Sequence, residues 1–193
     1  MSKVHCFPKM SVLDVGCGPD GRSLEVFLPN DYQITGIDLY DENEVQIEHP
    51  QFSYFKQDAQ NLGFFSNKKF DLTLCIGMME HICDLMMLEK IASEIDRVSK
   101  QYIVVVPWKY AWIEPHFRFP FFQLLPSNLQ RVLTVLLNLH NLRGKIRQDQ
   151  AYIEKNYQWL SNREWRQIFV GSQIYLTPTL ETIAIVKCSS VEC

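Results

Sequence analysis

Two glycines, Gly16 and Gly18, stand directly after the apolar run Ser11-Val12-Leu13-Asp14-Val15, with Cys17 between them and Gly21 three residues on. This is the spacing G-x-G-x-x-G, in which a turn from strand to helix lets the backbone approach a ligand closely. Carboxylates flank the turn and recur after the next two predicted strands: Asp14 before the first glycine, Asp38 in Gly36-Ile37-Asp38-Leu39, and Asp58 in Gln57-Asp58-Ala59. A carboxylate ending the second strand can accept both hydroxyls of a ribose, a device that nicotinamide dinucleotide enzymes also use. Asp38 alone therefore does not separate one nucleoside cofactor from another. Asp14 sits where a dinucleotide would bring its pyrophosphate, and a carboxylate there suits a cationic or amine-bearing group instead. Asp58 can accept from an adenine amino group while the amide of Ala59 donates to the ring.

These residues need elements to hold them. Ser11–Val15, Gln33–Asp38 and Phe52–Gln57 read as strands, and Arg22–Leu28 as a short helix ended by Pro29. Phe70–Ile76 alternates with period two and stops at Gly77; Asp84 then caps a helix with Leu85, Leu88, Ala92, Ile95 and Val98 on its apolar face. Tyr102–Val106 is a continuous apolar run of the kind found in a central parallel strand, and Pro107 ends it. Ser161 and Glu164 form a capping box for a helix carrying Trp165, Ile168 and Phe169. Gln173–Thr177 and Glu181–Lys187 are two closing strands, joined tightly enough to be antiparallel. The alternation predicts a doubly wound, mostly parallel α/β sheet in one domain over 1–193. It fails only over about 107–160, too long for a plain connection and so an inserted lid or substrate element.

With 193 residues, 47% hydrophobic and 21% charged, the chain has the composition of a globular protein, and disorder or a disulfide miniprotein is excluded. The formal charge of -3 gives no global field for nucleic acid. No apolar run reaches the ~20 residues of a membrane span and the first residues lack a secretory pattern, so a cytoplasmic protein is expected. The six cysteines show no C-x-x-C spacing, and no disulfide, zinc site or other metal ligand is assigned.

Val12-Leu13-Asp14-Val15-Gly16-Cys17-Gly18, Gly36-Ile37-Asp38, Gln57-Asp58-Ala59 and Phe70-Asp71-Leu72 through Glu80-His81-Ile82 resemble the successive motifs of class I S-adenosylmethionine-dependent methyltransferases. The likeness runs from Ser11 to about Pro107 and resumes in the last strands. It implies a seven-stranded Rossmann-like sheet, with S-adenosylmethionine as cofactor and S-adenosylhomocysteine as product. It further implies that Asp14, Gly16, Cys17 and Gly18 surround the methionine part, Asp38 and Leu39 the ribose and adenine, Asp58 and Ala59 the adenine edge, and that Gly77 floors the site near the methyl group. Such enzymes usually carry a helix ahead of the first strand. Only about ten residues precede it here, which leaves closure to the long insertion.

That insertion opens with Trp108, Tyr110, Trp112, Glu114-Pro115-His116-Phe117 and Pro120-Phe121-Phe122, and this segment resembles the bacterial type 11 methyltransferases. The resemblance implies a small-molecule or lipid- or carbohydrate-linked acceptor, with no nucleic acid. Methyl transfer to a hydroxyl needs a base. His116 and His81 are the candidates, with Glu114 placed to orient or replace His116, and the competing reading of His81 is that Glu80-His81 caps the next helix. A non-catalytic S-adenosylmethionine-binding or partner protein and a nicotinamide-dependent oxidoreductase are the alternatives, and Asp14 and Asp58 count against the latter. Finally, Leu129–Leu142 reads as a helix with a narrow polar stripe of Arg131, Thr134, Asn138 and Asn141, and residues 117–148 hold five basic side chains and no acid. Such a segment packs either against the sheet or a second subunit, or meets an anionic membrane through 121–147.

Overall fold

The computed structural model describes residues 4, 6–21 and 31–188. The helix expected over 22–28 lies outside them. Seven strands form one sheet in the order β3-β2-β1-β4-β5-β7-β6: β1 (Ser11–Val15), β2 (Gln33–Asp38), β3 (Phe52–Lys56), β4 (Phe70–Ile76), β5 (Ser99–Pro107), β6 (Gln173–Leu176) and β7 (Thr182–Lys187). The first five are mutually parallel, and β7 runs antiparallel to both β5 and β6. The chain passes outward through β2 and β3, then returns to β4 on the other side of β1. This places the topological switch point between the carboxyl ends of β1 and β4, where open α/β sheets bind ligands.

Period-two alternation in β1 serves both faces of the sheet. Val12 packs with Met10, Ile34, Leu72 and Leu74 on one side, and Leu13 and Val15 pack with Ile37, Cys75 and Val104 on the other. Helix α1 (Leu85–Val98) covers the second side, begun by the Asp84 carboxylate accepting from the amides of Met86 (2.8 Å) and Met87 (3.3 Å). Leu88, Ile91, Ala92, Ile95 and Val98 are its buried face, and full burial contributes about 1.5–3 kcal/mol for each large one. Leu85 is exposed and Ile91 takes its expected place in the core. The chain enters β5 directly from α1, so this strand begins three residues before the apolar run. Helix α5 (Asn162–Ile168) begins at the predicted Ser161 and Glu164 capping box and buries Trp165.

Between β5 and α5 the chain forms α2 (Ser127–Leu137), α3 (Arg143–Gln148) and α4 (Tyr152–Asn156). The single helix expected over Leu129–Leu142 breaks at Asn138, whose φ of 50° ends α2 in the left-handed conformation that asparagine tolerates. The expected facing is also corrected. Gln130 and Thr134 are the buried residues of α2, whereas Leu129, Val132, Leu136 and Leu137 are exposed. The inward polar groups are satisfied: Gln130 donates to the Phe122 carbonyl (2.9 Å) and Thr134 to that of Gln130 (2.7 Å). Phe117, Phe122, Leu142, Ile146, Ile153 and Tyr157 make a small core separate from the two that flank the sheet. No helix among the described residues is long and apolar enough to cross a membrane.

Candidate active site

The glycine turn hangs on β2, where the amides of Gly16 and Cys17 donate to the Ile37 carbonyl at 2.9 and 3.2 Å. Gly16 has φ +73° and Gly18 φ +66°, and a Cβ on Gly16 would stand 2.7 Å from Cγ of Met78. The turn therefore needs glycine for its backbone and, at Gly16, for the close passage of the segment after β4. Asp38 bridges the two strands' ends. Its Oδ2 accepts from the Gly18 amide (2.9 Å) and its Oδ1 from the Leu39 amide (2.6 Å). Each oxygen accepts one bond there and retains capacity for a second.

Beside it lies a cavity of about 250 Å³, lined by Gly16, Ile37, Asp38, Leu39, Asp58 and Ala59 together with Gln57, Gln60, Met78, Ile82, Met87 and Ile91. Apolar walls with carboxylates and amides at one rim fit a nucleoside, whose base is apolar in its faces and polar at its edges. Gly16, Cys17 and Gly18 also line a neighbouring open cleft with Pro19, Asp20, Gly21 and Ile76. Cavity and cleft meet at Gly16, the cradle that a Cβ would fill, so these residues fit the two halves of S-adenosylmethionine. Asp14 is 1% exposed on β1 beneath the turn. The Cys17 thiol is pushed up to about 12 by burial and by the charges of Asp14 and Asp38, and it serves as a small apolar wall.

Gly77 ends β4 with φ +70°, and a Cβ there would lie 3.8 Å from Oε1 of Glu80. From this point a polar cluster extends away from the cavity. One turn of 3-10 helix, Met79–His81, carries Glu80 and His81, while the segment after β5 brings Glu114 and His116. Because β4 and β5 are adjacent and parallel, their carboxyl ends set the two segments side by side. Glu114, 1% exposed, takes the ring N–H of Trp159 (3.1 Å) and faces Nδ1 of His116 (2.9 Å) with one oxygen, and takes the Phe117 amide (2.7 Å) with the other. His116 Nε2 lies 3.6 Å from Oε1 of Glu80. His81 Nδ1 lies 2.9 Å from the Asn156 carbonyl, an acceptor only, which fixes the N–H at Nδ1. The alternative reading of Glu80-His81 as a helix cap is thereby corrected, since Asp84 fills that position.

Burial shapes the protonation of all three. Glu80, 3% exposed, is pushed up to about 7 by desolvation, which outweighs the opposing pull of its own backbone hydrogen bond and of His116. Burial alone would lower His116, but the hydrogen bond and charge of Glu114 and the charge of Glu80 hold it above its ordinary value. His81 is held below its ordinary value, chiefly by desolvation. The rings of His81, His116, His140 and Tyr157 pack edge to face at centroid distances of 5.0–6.4 Å. Sequence reasoning named His81, His116 and Glu114 but passed over Glu80 as a site residue, along with Trp159 and Tyr157, which lie more than forty residues on and carry no motif. It also passed over Met78, Ile82 and Met87, whose types signal only packing.

Residues 13–104 match a family model described as a methyltransferase domain, of the type 11 group. No curated protein sequence matches the chain. Among solved structures, a SAM-dependent methyltransferase of Methanosarcina mazei superposes with a TM-score of 0.58 at 17% identity, covering 94% of this chain and 92% of that one. A Bordetella parapertussis protein gives 0.61 at 15% over 93% of this chain, which spans only 61% of its length. A TehB-like SAM-dependent methyltransferase of Corynebacterium glutamicum gives 0.55 at 12%, covering 96% and 83%. These likenesses show a shared fold. With the match over β1 to β5 and a cavity that fits the cofactor, the chain carries a methyltransferase domain similar to the type 11 group, on the fold of the class I S-adenosylmethionine-dependent methyltransferases.

Proposed function

We propose that the enzyme methylates an oxygen of a small or lipid-linked acceptor, with His116 taking the proton. The observation that carries this reading is the pair of buried Glu114 and half-buried His116 beside Glu80, on the segment after β4 whose Met78 and Ile82 line the cofactor cavity. When bound, S-adenosylmethionine supplies an electrophilic methyl group. Asp38 would hold the ribose hydroxyls, Asp58 and Ala59 the adenine edge, and the turn from Asp14 to Gly18 the methionine part. Glu114 accepts the Nδ1 hydrogen of His116 and so leaves the Nε2 lone pair as base. As the methyl leaves the sulfonium sulfur, which becomes the neutral thioether of S-adenosylhomocysteine, the hydrogen of the acceptor oxygen would pass to Nε2, and the imidazolium would lie between two carboxylates. The raised proton affinity of His116 strengthens it for this step. His81 and Tyr157 flank the ring and hold its orientation.

The test follows methyl label from S-adenosylmethionine into a panel of phenols, sugar alcohols and glycolipids. His116→Ala is expected to lower turnover by roughly a hundredfold with cofactor affinity little changed. Undiminished turnover in that variant, or label fixed on nitrogen, would overturn the assignment.

The inverted facing of α2 supports a lipid-linked acceptor, presented on the cytoplasmic side of a membrane. Leu136 is 67% and Trp112 65% exposed, and Phe121, Leu124, Leu129, Val132 and Leu137 are exposed as well. Arg118, Arg143, Lys145 and Arg147 are exposed in the same acid-free segment. Exposed apolar side chains and cations in one acid-free segment suit the surface of an anionic bilayer. Sedimentation with vesicles of anionic lipid should retain the protein at low salt and release it as salt screens the charges over ~8 Å. Charge reversal of Arg143, Lys145 and Arg147 to Glu should abolish retention. A protein left in the supernatant at low salt would favour a soluble acceptor.

A further inference from the structure

We propose that Glu80, His81 and His116 bind a divalent transition-metal cation. One donor atom from each of the three lies within 4.8 Å of the other two. Donors at ~2.1 Å from one tetrahedral ion stand about 3.4 Å apart, so the 3.6 Å between His116 Nε2 and Glu80 Oε1 is already close to that separation.

Three further observations point to an ion rather than to a chance meeting of polar groups. First, both imidazoles are tethered through the nitrogen that a ligand does not need. His81 Nδ1 faces the Asn156 carbonyl and His116 Nδ1 the Glu114 carboxylate. Such outer partners fix the tautomer and aim the Nε2 lone pair in metal sites. Secondly, Oε2 of the buried Glu80 has no hydrogen-bond partner. A buried carboxylate oxygen left without one costs free energy that an ion would recover. Thirdly, the cluster runs from buried Glu80 through half-buried His116 to exposed His81, which gives an ion a way in and a coordination position facing out.

Two imidazoles and one carboxylate select zinc, iron, cobalt or manganese over magnesium and calcium, which prefer all-oxygen sites. Three protein ligands leave a position open, as in catalytic rather than structural sites. An ion here would occupy Nε2 of His116, so in the loaded protein that imidazole would be a ligand and no longer the base, and an acceptor hydroxyl at the open position would be acidified by the ion and lose its proton to solvent.

The experiment uses the full chain, freed of any affinity tag and stripped with chelator, in the absence of cofactor and acceptor. Cobalt(II) is added while its visible d–d absorption is followed, and zinc is then titrated in competition. One saturable site per chain is expected. Glu80→Gln, His81→Gln and His116→Gln should each weaken it by roughly a hundredfold, and Glu114→Gln, which loses only an orienting partner, by roughly tenfold. Cys83→Ser, at an exposed thiol outside the cluster, should leave it unchanged. Unfolding temperatures keep the test sound if a variant is fragile: zinc should raise that of the parent protein and not those of the three ligand variants. Absence of saturable binding, or binding indifferent to Glu80→Gln and His116→Gln, would overturn the proposal. Because no methyl transfer is measured, that failure is distinct from a failure of the oxygen-methylation reading.

Discussion

Glu80→Gln offers a measurement in which the sign and size both follow from one buried carboxyl. Folded, Glu80 holds its proton up to about pH 7, chiefly because burial penalises the anion; in the unfolded chain a glutamate titrates near ~4.3. A group whose folded value is raised contributes stability that is complete below the unfolded value and is lost as pH rises through the folded one. Between about pH 5 and about pH 8 the parent protein therefore loses about 2.5 kcal/mol at this residue, and Gln, which does not titrate, loses none. His116 adds to the contrast with the same sign. Its raised affinity leans partly on Glu80, and its contribution also fades as pH rises. For a chain of this size a kilocalorie moves the unfolding temperature by about 2–4 °C, so the variant should gain on the parent by about 5–10 °C across that interval. Thermal unfolding followed by circular dichroism, with chelator present throughout, reads the difference. Parallel pH profiles for the two proteins would refute the argument, whatever their absolute stabilities.

Further outcomes are expected at the cofactor cavity and in the sheet. Asp38→Ala should weaken S-adenosylhomocysteine binding by about 2 kcal/mol or more, since two hydroxyls lose a charged acceptor and the Gly18 and Leu39 amides lose theirs; Asp58→Asn should cost less. Calorimetry giving parental affinity for Asp38→Ala would remove the ribose assignment. Gly16→Ala should abolish binding in the same assay because its Cβ meets Met78, whereas Gly18→Ala finds open space and should cost only backbone strain of roughly 1–2 kcal/mol. Equal losses would contradict the crowding argument. Gly36→Ala places a Cβ 2.7 Å from Cζ of Phe52 and 2.9 Å from Sγ of Cys17, and overpacking should destabilise the chain by about 1–3 kcal/mol in urea; an unchanged midpoint would show that the core yields there.

What could be read in advance divides along the range of the forces involved. β4 runs over the residues its alternation predicted, and Asp84 and Ser161 cap the helices they were expected to cap, because periodicity and caps are settled within a few residues. The glycine turn and Asp38 were legible for the same reason, each being tied to a strand end. Glu80 was not. Its role rests on His116, which arrives only when β4 and β5 pair, and on burial that no neighbour in sequence reveals. α2 failed differently. A run of leucines announces an apolar face without naming what covers it, and here Gln130 and Thr134 turn inward because the Phe122 carbonyl and the helix backbone receive them. The break at Asn138 depends on a left-handed residue followed by Arg143, whose guanidinium donates to the Val135 and Leu136 carbonyls at the end of α2.

The small aromatic core of the insertion has a consequence for when chemistry can occur. Phe117, Phe122, Ile153 and Tyr157 share little with the cores beside the sheet, so this segment can loosen as a local unit while the strands stay paired. It is nevertheless laced to the turn after β4: the Gln158 amide donates to the Glu80 carbonyl (2.9 Å), the Gln158 side chain to that of Ile82, and His81 to that of Asn156. Trp159 holds Glu114 from the same strand of chain. Loosening of the unit would part His116 and Glu114 from Glu80 and His81, which stay with β4 beside Met78 and Ile82 of the cofactor cavity. A ligand spanning both regions would then favour the population in which the four groups stand together.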